Sequence, residues 1–181
     1  MNNFEDLVQH RRSHRSFSEK PISAECVRLI LRAALMSPSS KGSRSWRFIV
    51  VDNKIAIEKL SDAKTVGSQF LKSAPLAIVV LGNPDQNDCW IEDGSAAAMS
   101  MLYQAEDLGL GACWIEIRGR SLSDGTSSDE IVHGILEVSE QERTLCIIAL
   151  GHATDERKLQ DENRLKWENV SIYDGSNHTE I

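Results

Sequence analysis

The sequence predicts an α+β or α/β sandwich of four short strands with helices between them. Three observations carry this. Apolar runs at 48–51, 76–81, 112–117 and 144–150 are short, rich in Val, Ile and Leu, and bounded by polar or glycine-containing stretches. The segments between them repeat their apolar residues at helical spacing behind capping residues. The composition, 41% hydrophobic and 26% charged over 181 residues, suits one domain with a buried core, and long disorder is not expected.

Each element follows from local chemistry. Asn3 caps a first helix in which Phe4, Leu7 and Val8 recur on one side, ending near His10. Residues 11–21 read as an irregular basic connector. Pro21 and Ser23 open a second helix with Val27, Ile30, Leu31, Ala34 and Leu35 inward, and Pro38 stops it. After the first strand comes a helix at 56–63, then the second strand. A long Ala- and Met-rich helix at 94–108 closes at Gly109, a residue suited to the left-handed position after a helix. Ser127 and Glu130 form a capping box for a helix running to Leu136, and Gly151 ends the fourth strand. Beyond Ala153 only Leu159, Leu165, Trp167, Val170, Ile172 and Tyr173 interrupt a polar tail. A Trp and a Tyr there predict that the tail docks on something.

Charge excludes some function classes. The net charge is −7, which disfavours nucleic acid as a partner. The first fifty residues nevertheless hold nine Lys or Arg against four Asp or Glu, leaving eleven and twenty-three for the rest. A basic segment in an acidic body can focus a site for a small anion. The longest uncharged apolar stretch, 74–82, is far short of a membrane span, and no apolar core of the signal-peptide type follows Met1. Cys26, Cys89, Cys113 and Cys146 show neither CxxC nor a His at ligand spacing. His10, His14, His133, His152 and His178 form no metal-like pair. No metal site or disulfide framework is expected, and a reducing cytoplasm is. Gly109-x-Gly111 follows a helix, so it is not a dinucleotide fingerprint.

Two segments carry chemistry. Arg11-Arg12-Ser13-His14-Arg15-Ser16-Phe17 gathers three guanidinium groups and two hydroxyls at a helix end. Arginine forks match phosphate oxygens two at a time, and hydroxyls fill remaining acceptors. Alone, the segment reads sooner as a solvated basic turn than as a site. The second, Pro38-Ser39-Ser40-Lys41-Gly42-Ser43-Arg44-Ser45-Trp46-Arg47-Phe48, joins a helix to a buried strand through small hydroxyl residues, a glycine and cations. It offers donors to an anionic or carbonyl-rich ligand, or serves as a plain connector. Together they favour a site.

In order and spacing, RRSHRSF and SPSSKGSRSWRFIVV resemble the nitroreductase family of FMN-dependent oxidoreductases. The Ala74-Pro75 strand opening, Gly109-Leu110-Gly111-Ala112-Cys113-Trp114-Ile115 and Ala149-Leu150-Gly151-His152 extend the match over nearly the whole chain. The resemblance implies an α+β sandwich, with a mainly antiparallel or mixed sheet flanked by helices. It also implies a domain at 1–152 and an extension at 153–181 that embraces a partner subunit. Arg11, Arg12, Ser13 and Arg15 would hold the FMN phosphate and the pyrimidine edge of the flavin. Pro38, Ser39, Ser40, Lys41 and Gly42 would reach the flavin of the neighbouring subunit of a homodimer. Trp114, Ile115 and Glu116 would lie beside the isoalloxazine, and Arg157 or Lys158 would add a phosphate contact.

The implied activity takes electrons from NADH or NADPH and passes them, by a ping-pong cycle, to small nitroaromatic, quinone or related electrophilic acceptors. The flavin N5 carries the chemistry, so no catalytic side chain is named. Gly42 stands where the family usually has Asn, and Arg44 and Ser45 replace a common Gln-Pro. Near Gly67 and Gln69, where a further flavin contact is expected, no clear match appears. The alternatives are a flavin-binding or sensing protein with little turnover, or a specialised reaction such as flavin fragmentation, reductive dehalogenation or enoate reduction.

Overall fold

The computed structural model describes residues 3–173, 175 and the backbone of 178–180. Of the tail expected at 153–181, residues 174, 176, 177 and 181 lie outside the described residues, as does the side chain of His178.

Helix α1 (Phe4–His10) begins as expected, with Asn3 Oδ1 accepting from the Asp6 amide at 2.8 Å. Helix α2 (Ala24–Leu35) begins at Ser23, whose hydroxyl accepts from the Cys26 amide. It buries Ile30 and Ala34, but Leu35, expected inward, is 58% exposed. At about 100° per residue Leu35 lies roughly 140° around the helix from Ile30, past the edge of the apolar stripe.

Strand β1 (Trp46–Val51) starts two residues earlier than expected, with Trp46 buried. Helix α3 (Lys54–Ser61) is set by Asn53, which accepts from the Ala56 amide at 3.0 Å. Strand β2 (Leu76–Gly82) leads to helix α4 (Trp90–Asp107), which starts four residues ahead of the expected position. Its start has no side-chain cap; Asn87 sets it, accepting from Trp90 through its carbonyl and from Cys89 through Oδ1. Gly109 takes the left-handed position at φ +69. Strand β3 (Gly111–Glu116), helix α5 (Ser128–Leu136) and strand β4 (Arg143–Gly151) complete the body. Ser127 caps α5 through the Asp129 amide, one residue before the position a capping box uses.

The sheet runs β1-β2-β4-β3 with every neighbouring pair antiparallel, so the fold is α+β and the α/β alternative falls. Side chains alternate across it. Ala77, Val79, Cys113, Ile115 and Ile147 face α3 and α5, while Ile78, Val80, Ala112, Cys146 and Ile148 face α2 and α4. Cover on both faces explains why β2 is buried along its whole length. Each fully buried Ile or Leu, such as Ile78 and Ile148, contributes roughly 1.5–3 kcal/mol. A register shift opposite Val80 and Leu81 gives β4 one extra residue and puts Leu145 and Cys146 on the same face.

Beyond β4 the chain makes short 3-10 turns at Glu162–Arg164 and Trp167–Asn169 and a small hairpin of β5 (Ser171–Tyr173) and β6 (His178–Glu180). In the single chain its apolar residues face outward, with Trp167 55% and Ile172 57% exposed.

Candidate functional site

The basic connector after α1 does not wander. Ser13 bridges Ala112 in parallel, and the His14 amide donates to the Ala112 carbonyl at 3.1 Å, so the connector lies along the outer edge of β3. It then crosses the segment after β4. Ser18 donates to the His152 carbonyl, Thr154 to the Ser16 carbonyl, and the Ser16 and Thr154 hydroxyls meet at 2.7 Å. Glycine makes the approach possible. A Cβ on Gly111 would stand 2.7 Å from Ala153 Cβ and 3.1 Å from His14 Cβ.

Asp155 fixes the geometry. Its carboxylate accepts from His14 Nδ1 at 2.9 Å, the Arg15 amide at 3.2 Å and Arg157, Nε at 2.9 Å and a terminal nitrogen at 2.7 Å. Burial pushes this carboxyl up, but the His14, Arg15 and Arg157 hydrogen bonds outweigh burial and hold it at about 2. Around the neighbouring Cys113 the basic groups converge. Burial raises its thiol, opposed by the charge of Arg15, a hydrogen bond with Ser13, and the charges of Arg157 and Arg11. Arg15 also lies over the Phe70 ring at 5.8 Å.

The sequence-named residues divide into four groups. Arg11, Ser13, Arg15 and Arg157 come together at β3. Arg12 turns away, donating to the carbonyls of Lys158 and Leu159, and the Lys158 side chain is exposed. Of the β3 trio, Ile115 is 1% exposed with its side chain in the core. Because Ala112 presents its carbonyl outward, alternation turns the N–H and C=O groups of Trp114 and Glu116 toward the same open edge. Trp114 Nε1 donates to Glu116 Oε2 at 2.8 Å.

Pro38, Ser39, Ser40, Lys41 and Gly42 lie elsewhere, ahead of Trp46 at the far edge and far end of the sheet. Trp46 pairs with Gly82 and Gly82 with Arg143, whereas Ala112 pairs with Leu150. Standard strand spacings put the two segments about 14 Å apart across the sheet and roughly 20 Å apart along it. One chain does not bring them to a common cleft. The second loop is strained, with Lys41 at φ 54, Gly42 at 65 and Arg44 at 50. For the two non-glycine residues such a conformation costs on the order of 1–3 kcal/mol each, so surrounding contacts must hold it.

Sequence reasoning missed His14, Asp155, Lys64 and Arg120. Lys64 Nζ donates to the Glu116 carbonyl at 3.2 Å. Burial lowers its ammonium, as does the charge of Arg120, against the opposing charges of Glu116 and Cys113. Lys64, Thr65, Val66, Glu116, Arg120 and Ser121 line a cleft of about 310 Å³ beside the open edge. Near Gly67 and Gln69, where a further flavin contact is expected, the side chain that reaches the β3 edge is Lys64, three residues before Gly67. Gln69 locks that loop, accepting from the Gly67 amide and donating to the Lys64 and Thr65 carbonyls.

The arrangement can hold an anion against the guanidinium groups of Arg11 and Arg157 and a hydroxyl, and a flat polar ring edge against strand backbone, Arg15 and Lys64. That donor set fits a dianionic phosphate joined to a planar heterocycle.

Comparison with known proteins agrees. The sequence profile of the nitroreductase family matches residues 8–67 and 58–152. The structure is similar to that of an FMN-dependent nitroreductase from Clostridium difficile R20291, at a TM-score of 0.90 and 41% identity, covering 92% of this chain and 96% of that one. A protein of Archaeoglobus fulgidus with the provisional name NADH dehydrogenase/NAD(P)H nitroreductase is 33% identical over 159 residues, 86% of this chain and 88% of its own. A provisionally named nitroreductase of Desulfovibrio desulfuricans, solved in complex with FMN, shares the fold at a TM-score of 0.74 and 24% identity, over 94% of this chain and 96% of that one.

Proposed function

Because this chain belongs to the nitroreductase family, we propose that it is an FMN-dependent oxidoreductase that passes electrons from NADH or NADPH to small nitroaromatic, quinone or related conjugated acceptors in a ping-pong cycle. The observation that carries this reading is the fixing of the Arg15 backbone and Arg157 on Asp155 beside an open strand edge that Ser13 bridges, with Arg11 two residues before Ser13 in the same connector. When bound, FMN supplies a ring that takes up and gives back a hydride. The protein's own residues bind, orient and tune.

Arg11 and Arg157, with the Ser13 hydroxyl, suit the phosphate, because planar forks meet its oxygens in pairs. Asp155 keeps Arg157 and the Arg15 backbone in place while remaining ionised. Arg15 and Lys64 suit the carbonyl-rich edge of the ring, where a positive charge favours the electron-rich reduced form. The outward backbone groups of Trp114 and Glu116 offer hydrogen bonds to its central edge. Arg12 serves the site indirectly by tethering the start of the tail, and Lys158 adds charge at its rim.

Pro38, Ser39, Ser40, Lys41 and Gly42 belong, on this reading, to the flavin cleft of a second protomer. A homodimer is supported by the distance between the two segments and by apolar side chains that a single chain leaves outside: Phe4, Leu35, Met36, Trp167 and Ile172. Residues 1–152 then form the flavin-binding body and 153–181 the extension that grips the partner. Four free thiols suit a reducing cytoplasm. Among the described residues no helix is long and apolar enough to cross a membrane.

The test is the visible spectrum of the purified protein. FMN should be present, bleach anaerobically on addition of NADH or NADPH, and return on addition of a quinone or nitroaromatic, with parallel double-reciprocal plots. A protein that takes up no FMN would overturn the reading. Binding without bleaching would favour a flavin-sensing role.

A further inference from the structure

Asp93 in the first turn of α4 is 4% exposed and lies far from the arginine cluster, yet its carboxylate is bound on several sides. It accepts from the Ser40 amide at 2.8 Å, Asn87 Nδ2 at 2.6 Å and the Ser43 hydroxyl at 3.3 Å. Asn87 Nδ2 also donates to Ser43 Oγ at 2.9 Å, and Ser39 Oγ accepts from the Arg44 amide at 3.1 Å. We infer that Asp93 is a positioning residue acting in trans: its carboxylate latches residues 39–45 into the shape with which that loop completes the flavin cleft of the partner subunit. The inference rests on the shared-site reading above.

The physics favours a latch over a plain connector. A turn joining a helix to a strand needs no buried charge, and burying one is unfavourable unless donors surround it. Here the donors come from both sides, two from the loop and one from Asn87 in the turn before α4. Asn87 is itself buried, and its Oδ1 accepts from the Cys89 amide. Hydrogen bonds to an ionised acceptor are about twice as strong as neutral ones, which suits a segment held with three residues at positive φ. Gly42 has no side chain to offer, so its point on the loop can present only backbone. Where that backbone lies depends on what holds Ser40 and Ser43.

The substitution Asp93→Asn keeps the shape of the side chain but leaves one acceptor oxygen and adds a donor. That donor would face the Ser40 amide or the Asn87 side-chain amide, so the loop must let go.

The experiment is FMN titration of apoprotein, read by flavin fluorescence, on wild type, Arg11→Ala, Asp93→Asn, and a mixed dimer of the two variants isolated with two affinity tags. Each homodimeric variant should bind FMN about tenfold more weakly or worse. The mixed dimer should regain one site of wild-type affinity. One of its clefts joins the intact arginine segment of the Asp93→Asn protomer to the intact loop of the Arg11→Ala protomer. Weak homodimers without that recovery would confine the effect of Asp93 to its own chain and overturn the inference, as would wild-type affinity in Asp93→Asn.

If Arg11→Ala alone binds FMN normally, or a monomeric wild type binds it fully, the shared arginine site is wrong and the inference falls with it. Should Asp93→Asn fail to fold, the exposed Ser43→Ala replaces it. A loss of about threefold, recovered in the same pairing, supports the latch; no loss, or no recovery, overturns it.

Discussion

Asp155 shows how one side chain ties several parts of the site together. It joins His14, the Arg15 backbone and Arg157, and was not legible in the sequence because His14 and Arg15 lie 141 and 140 positions away, and only Arg157 is near in the chain. Its carboxyl sits at about 2 against an ordinary 3.8. The folded chain therefore gives up that proton more readily than the unfolded one. The resulting stabilisation is complete above pH ~3.8 and disappears as pH falls toward ~2. Asp155→Asn should lower stability near neutral pH by on the order of 1 kcal/mol, allowing for solvent screening. The gap from wild type should close on acidification through that window, as read from urea midpoints at several pH values. A gap that stays constant with pH would refute the assignment.

At the scale of elements, caps and apolar periodicity were legible and edges were less so. Asn3, Ser23 and Gly109 act as their residue types suggest. The start of α4 was misplaced because an asparagine three residues upstream, not a residue at the cap, sets it. For the site, the arginine segment and the strand after Gly109 were readable as local motifs. Lys64 and Arg120 were not, since single cations in loops carry no pattern until folding sets them beside Glu116.

Arg12 illustrates the same limit: its neighbours suggest a phosphate ligand, while its guanidinium holds the carbonyls of Lys158 and Leu159. The Gln160 amide adds a bond to the Gln9 carbonyl, so α1 and the start of the tail are stitched together. Arg12→Ala should open this stitch and expose the segment around 158–165 to limited proteolysis, with the body left intact. Cleavage no faster than in wild type would place the tether elsewhere.

For the whole molecule, the antiparallel order β1-β2-β4-β3 sets the two ligand-type segments at opposite corners. On the proposed reading each protomer carries half of each cleft at each edge, which would make pairing of protomers part of function. The outer stripe of α2 is suited to that pairing: Val27, Leu31, Leu35 and Met36 line a groove of about 560 Å³ flanked by Arg28 and Arg32. Leu35→Asp, at a position 58% exposed in the single chain, should leave the fold intact. It should shift the protein toward monomer by light scattering and reduce FMN retention in parallel. Loss of dimer with full retention would separate assembly from binding.

The outer rim of β3 also bears on handling of the apoprotein. A strand whose N–H and C=O groups point outward is a template on which foreign chains can add. Ser13 and His14 shield only the Ala112 end, while the charges of Lys64 and Glu116 discourage newcomers at the other. Bound ligand would act as a stopper on the stretch between them. Stripping it should shorten shelf life, and turbidity on standing should fall again when FMN is restored.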